Sequence, residues 1–225
     1  GRGPGRSRSP LEARRWSREY RNLLIREEVQ SLERIQDLGN LELLMLRLPE
    51  LVGSLLSVNA VREDLQVSHK TVAAWLSALE RLYVLFRLAP LGSPKVRALK
   101  KAQKHYHLDW SVVPEGGPRF ENLVACHLLK WVQFSQDTEG RDLDLWYFRD
   151  TDGREVDFVV TERRRPLLAV ECKWAETPID RGLRYLKARF PDCAAWQLAA
   201  TGTRDYATPE GIRACPATVF LATLV

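Results

Sequence analysis

A chain of 225 residues is long enough for one large domain or two small ones. Its 45% hydrophobic content and seven Trp suit an ordinary globular core. No apolar run reaches bilayer length and no signal-peptide pattern opens the sequence, which predicts a protein off the membrane and in the cytoplasm. Cys126, Cys172, Cys193 and Cys215 are widely spaced with no C-x-x-C pair, which argues against a zinc knuckle or a disulfide framework. The formal charge of +5 is uneven: residues 1–26 carry eight Arg against Glu12 and Glu19, so the remainder is close to −1. A high isoelectric point therefore does not make the folded body a basic nucleic-acid binder.

Taken in order, residues 1–16 read as a disordered basic arm, with Gly, Pro, Ser and Arg in no period. From Leu11 to Leu38, Trp16, Tyr20, Leu23, Leu24, Val29, Leu32 and Ile35 recur at helical spacing, as though continuing something upstream. Gly39-Asn40 predicts a break, followed by a helix over Leu41–Leu56 that Pro49 kinks or ends. Val58–Leu65 predicts a short helix, Gln66-Val67 a turn, and Ser68 the N-cap of a helix over Lys70–Leu82. Tyr83–Leu88 then reads as a strand. Three helices, a short turn before the third and a following strand make a winged helix-turn-helix pattern. His69 and Lys70 would face DNA on such a helix, although the same module also serves as a protein-packing unit.

Residues 90–107 predict a wing or hinge, where Lys95, Arg97, Lys100, Lys101 and Lys104 form a cationic cluster suited to phosphate. A solvated linker would have the same composition. His105, His107 and Asp109 alternate with Tyr106 and Leu108, which reads as a strand with one polar face rather than a metal site. Pro118 begins a helix through Phe134, with Glu121 in its first turns and His127 on its apolar face as a core residue. A linker over Ser135–Asp142 follows. Strands are expected at Leu143–Arg149, Glu155–Thr161 and Leu167–Lys173, with an Asp152-Gly153 hairpin turn between the first two. Thr177–Phe190 predicts a helix, Ala194–Ala200 a strand and Ala217–Leu224 one more. The order from Pro118 is α-β-β-β-α-β.

Asp157 on one apolar strand, and Glu171 and Lys173 on one face of the next, place carboxylates where burial is costly unless a cation joins them. Together with Glu121 they suit metal-dependent phosphodiester hydrolysis. Asp157, Glu171 and Glu121 would be hard oxygen ligands for Mg²⁺ or Mn²⁺, and Lys173 would position the nucleophilic water. Glu155 falls at the strand's edge and is left out of the ligand set. The same charges would equally make a structural set, Asp157 or Glu171 with Lys173 or Arg149 and no metal.

This constellation resembles the PD-(D/E)xK nuclease superfamily: Asp157 followed by Glu171-Cys172-Lys173, with Val156 in place of the usual proline. Further stretches resemble the C-terminal half of AAA-type ATPases carrying the DUF4143 domain. They are Tyr20-Arg21 to Leu38, Val67–Val72, Leu79–Tyr83, Lys104–Asp109, Phe120–Asn122 and Tyr147–Asp157. Asp109-Trp110-Ser111 departs from the family's Asp-Thr-Gly. The resemblance implies an α/β (α+β overall) chain, with a winged helix-turn-helix domain over 17–108 and a restriction-endonuclease-like αβββαβ domain over 109–225. It also implies DNA and an upstream ATPase domain as partners. No G-x-x-x-x-G-K-[ST] occurs, so no ATP is expected in this chain. Two functions follow as expectations: a DNA-associated module with a Mg²⁺-dependent hydrolytic site, or a non-catalytic docking or regulatory domain on a degenerate nuclease fold.

Overall fold

The computed structural model describes residues 37–92 and 103–224. The N-terminal arm, the helical pattern up to residue 36, and Lys95, Arg97, Lys100 and Lys101 lie outside the described residues. Among the described residues the fold is mixed α/β, with six α-helices and two sheets. They divide into two compact units. One comprises the described residues up to Pro49 with Ser57–Leu85, and the other Glu50–Leu56 with the described residues from Phe86 onward.

The first unit holds α1 (Leu38–Arg47), α2 (Val58–Leu65) and α3 (His69–Arg81). Gly39 and Asn40 do not break the chain as the pattern predicts. They form the first turn of α1 because Asp37 caps it, accepting from the Asn40 backbone N–H at 3.1 Å and from its side-chain amide at 2.6 Å. The helix stops at Arg47 and Pro49 falls in a 3₁₀ turn over Leu48–Leu51, so no helix reaches Leu56. Ser57 caps α2 and Ser68 caps α3, where the Ser68 hydroxyl accepts from the Thr71 N–H at 3.0 Å. Between them the chain reverses through Gln66, which is left-handed with φ 53°. Val72, Trp75, Leu76 and Leu79 bury one stripe of α3 and leave His69 and Lys70 exposed, as the periodicity predicts.

In the second unit a three-stranded sheet has the order β1-β3-β2, with β1 (Leu55–Leu56), β2 (Leu85–Leu88) and β3 (Gln103–His107). The end of the predicted wing is thus a strand, and every residue of β3 is buried on both faces. The second sheet contains β4 (Leu143–Arg149), β5 (Glu155–Glu162), β6 (Arg165–Lys173), β7 (Ala194–Ala199), β8 (Tyr206–Ala207) and β9 (Ile212–Pro216). Its order is β4-β5-β6-β7-β9-β8, antiparallel through β6, parallel from β6 to β9, and antiparallel at β8. The expected strand at Ala217–Leu224 is instead a short helix, α6 (Ala217–Leu221), with a 3₁₀ turn; Pro216 ends β9 and opens α6. α4 (Gly117–Glu139) starts around Pro118 as predicted but absorbs most of the expected linker, closing on left-handed Gly140. α5 (Arg181–Arg189) starts at an Asp180 N-cap, not at Thr177. His127 is exposed on α4 and not in the core.

Two cores cover the larger sheet. Phe120, Val124, Leu128 and Val132 of α4 share one with Phe158, Val160, Val170 and Phe220, and Leu183 and Leu186 of α5 share the other with Val156, Val159 and Ala169. Val156 and Phe158 would share a face in a regular strand. They do not, because β4 and β5 slip register between the pairs Trp146–Val159 and Phe148–Val156, giving β5 one extra residue. This bulge turns Asp157 out of simple alternation beside Phe158.

Gly182 makes the close approach that holds α5 onto β5. A methyl group built there would meet the Glu155 carbonyl oxygen well inside contact distance, and the obstacle is backbone that cannot swing aside. Gly182→Ala is expected to destabilise the chain by about 2–3 kcal/mol, a strain cost of the overpacking kind. Denaturant unfolding of the variant against the parent chain checks it.

Candidate functional site

The last ladder pair of β5 and β6 toward this end of the sheet is Phe158 with Val170. Beyond it, side chains take over from the backbone. Glu171 accepts from the Asp157 N–H through Oε2 at 3.2 Å, and Asp157 accepts from the Cys172 N–H through Oδ2 at 3.0 Å. Each carboxylate thus stands in for a ladder carbonyl where the two strands part. Asp157 is 8% exposed and Glu171 6%, so neither group relies on water.

A lysine fills the space in front of Asp157. Lys104, 2% exposed on β3, brings its ammonium to 3.2 Å from Asp157 Oδ1, 2.6 Å from Glu155 Oε1 and 3.4 Å from Glu121 Oε1. The period of two sends Tyr106 the same way, and its hydroxyl donates to Glu121 Oε1 at 2.7 Å. The Asn122 side chain clamps this strand to α4, accepting from the His107 N–H at 2.8 Å and donating to its carbonyl at 2.6 Å. Gly53 leaves room for Glu121: a Cβ at that position, where φ is 83°, would stand 3.0 Å from Oε2. Arg149 approaches the other oxygen of Glu155 at 3.5 Å.

Lys173 belongs to a second cluster. Its ammonium lies 2.7 Å from Glu171 Oε1 and 3.0 Å from Asp180 Oδ2. Gln197, buried on β7 opposite Glu171, positions that partner. It accepts from the Asp180 N–H at 2.8 Å and donates to the carbonyls of Thr177 and Pro178. Two cavities flank this side, neither lined by Asp157, Glu171 or Glu121. One of about 230 Å³ is lined by Lys173, Thr177, Gln197 and Arg204, and one of about 590 Å³ by Trp110, Phe120, Leu123 and Trp174.

Each cluster carries one more carboxylate than it has cations. Glu121, Glu155 and Asp157 face Lys104 and Arg149, and Glu171 and Asp180 face Lys173. In each, one carboxyl is driven toward its neutral form. Burial, then the charge of Asp157, pushes Glu121 up to about 7 against the pull of Lys104 and Tyr106. Burial and then Asp157 push Glu171 up to about 8 despite Lys173. Burial works against the charged form of Lys104, but Asp157, Glu121 and Glu155 outweigh it and hold the ammonium well above its ordinary range.

The structure sets Asp157 with Glu121 around Lys104 and ties Asp157 to Glu171, while Lys173 sits in the second cluster on the same face as Glu171. Three placements differ. Lys104 is no loop cation for phosphate but the buried centre of the first cluster. Glu155 is inside that cluster: two residues before Asp157 on β5, it shares that residue's side and meets Lys104 at 2.6 Å. Lys173 is held by Asp180 as well as Glu171. Tyr106, Asp180 and Gln197 were not singled out, although a Gln inside the apolar run Ala194–Ala199 and an Asp before a helix are the signals that mark them. His105, His107 and Asp109 do not gather as ligands; among the described residues no group of three or more His, Cys, Asp or Glu is arranged to hold a metal.

The carboxylate oxygens also fail to fit Mg²⁺ as they stand. Those of Glu121, Glu155 and Asp157 converge on Lys104 at 2.6–3.4 Å, so an ammonium already occupies the point they share. Both oxygens of Asp157 and both of Glu171 already accept from protein donors.

Residues 6–115 match the family described as Domain of unknown function (DUF8612), and residues 116–220 match Domain of unknown function (DUF4143), so the chain carries a DUF4143 domain in its second half. No curated protein and no solved structure matches it. Among the described residues no helix is long and apolar enough to cross a membrane.

The raised carboxyls set a pH dependence. Glu121 and Glu171 stay protonated in the folded chain above the ordinary 4.5 and release their protons near 7 and 8. Between those limits the folded state binds more protons than the unfolded one, so stability falls as pH rises through this window and levels off above it. The unfolding midpoint is expected to drop by about 10–20 °C between pH 5 and pH 8. Thermal melts across pH check this, and Glu171→Gln should flatten the upper part of the slope.

Proposed function

We propose that this chain is a DNA-docking module whose second unit has a nuclease-like arrangement and keeps its acid–lysine set as structure, without phosphodiester turnover. The observation that carries this reading is the commitment of the carboxylates: Asp157 and Glu171 are buried, and every one of their oxygens accepts from a protein donor. Hydrolysis would ask Asp157, Glu171 and Glu121 to turn oxygens toward a metal and Lys173 toward a water. Here Lys104 and Asp180 hold those positions.

Docking rests on the first unit. α2 and α3, joined by a tight turn, support a winged helix-turn-helix reading, with His69 and Lys70 exposed at the start of α3 and Arg81 at its end. A helix N-terminus with Lys70 beside it suits a phosphate of the duplex backbone. Such contacts position a protein without reading sequence, and Ala73 and Ala74 offer no base-edge donors. The resemblance to DUF4143-bearing AAA-type ATPases adds a nucleotide-hydrolysing partner to this proposal.

Two measurements test the reading. Plasmid and single-stranded DNA incubated with the chain and Mg²⁺ or Mn²⁺ should show no cleavage above that of Asp157→Ala. Cleavage that Asp157→Ala or Lys173→Ala abolishes contradicts it. In fluorescence anisotropy with duplex DNA, His69→Ala/Lys70→Ala should weaken binding several-fold, about 1 kcal/mol, and lower the salt slope by about one. Unchanged affinity removes α3 as the docking element.

A further inference from the structure

We propose that Lys104 is the resident cation of this centre, an ammonium holding the place that a divalent ion would otherwise take among Glu121, Glu155 and Asp157. The native chain is therefore indifferent to divalent metal there. This inference rests on the non-hydrolytic reading and names the residue responsible for it.

Three observations carry it. The first is position: the three carboxylates converge on Lys104 Nζ at 2.6–3.4 Å, so the ammonium fills the point where a shared cation would sit. The second is anchoring. Lys104 sits mid-sheet on β3, its Nζ 5.9 Å from the Tyr147 ring centre, with Tyr106 tied to Glu121 and His107 clamped by Asn122. Lys104 is therefore a strand residue with a buried side chain and no solvated loop cation. The third is charge. Glu121, Glu155 and Asp157 against Lys104 and Arg149 leave a formal −1, and deleting the ammonium alone leaves −2, the charge that one divalent ion matches. Stripped of its central ammonium, such a carboxylate cluster neutralises by taking up protons or a cation that fits.

Mn²⁺ alone is the probe, and the readout is thermal unfolding of the full chain, independent of any DNA activity. The wild-type midpoint should not move with Mn²⁺. Lys104→Ala, which removes charge and opens space together, should unfold at lower temperature in chelator. Mn²⁺ at a hundredfold excess over Kd should raise its midpoint by about 5–10 °C. Adding Asp157→Asn to Lys104→Ala should abolish that rise. If Lys104→Ala is unfolded in chelator, recovery of its circular dichroism on adding Mn²⁺ supports the proposal. If it does not recover, Lys104→Gln, which keeps most of the volume, is read by the same rise and the same Asp157→Asn loss. A Mn²⁺ response in the wild-type chain that Asp157→Asn removes overturns the proposal, as does a folded Lys104→Ala or Lys104→Gln that ignores Mn²⁺. Failure here leaves the DNA-cleavage result unaffected, so the two readings fall separately.

Discussion

One buried ammonium decides what the rest of the centre can be. Three carboxylates within 3.4 Å of Lys104 are affordable inside the protein only because the lysine is there, and the lysine stays charged only because they are. Removing Lys104 leaves Asp157 and Glu121 with uncompensated charge where little water reaches them. Glu121 and Glu171 show the residual imbalance, since each leans toward its protonated form.

The backbone around the centre is shaped to keep this arrangement. A bulge in β5 places Asp157 next to Phe158 instead of opposite it, so the carboxylate reaches both Lys104 and the Cys172 N–H. Gly182 lets α5 close onto Glu155, Gly53 gives Glu121 its space, and Gln197 fixes the loop that delivers Asp180 to Lys173. The centre is therefore two linked clusters. Glu171 joins them through the Asp157 N–H, and the D…E-x-K spacing reads as the join between two ion networks.

Much of this was legible in the chain itself. Period-two alternation correctly pairs Glu171 with Lys173, β4 is found to the residue, and Ser68 is identified as a cap because Ser followed by a helical stripe has few other uses. What escaped the pattern has physical causes. Lys104 lies among lysines, and composition cannot distinguish a strand lysine with three buried acids from a loop lysine in water. Regular alternation puts Glu155 on the side of Asp157, but its place at the strand's edge gives no sign that Lys104 of another strand reaches it. Gly39-Asn40 reads as a breaker until Asp37 is seen to cap the helix it opens. Ala217–Leu224 is too short and apolar to tell helix from strand by period alone.

Asp157 is neutralised by an ammonium, that of Lys104 at 3.2 Å. A crystal soaked in Mn²⁺ and measured at the manganese absorption edge tests it directly. No anomalous peak is expected at metal-bonding distance from Asp157, and Lys104 Nζ should stand in continuous density between Asp157, Glu155 and Glu121. A peak bonded to Asp157 and Glu171, with Lys104 displaced, would contradict it.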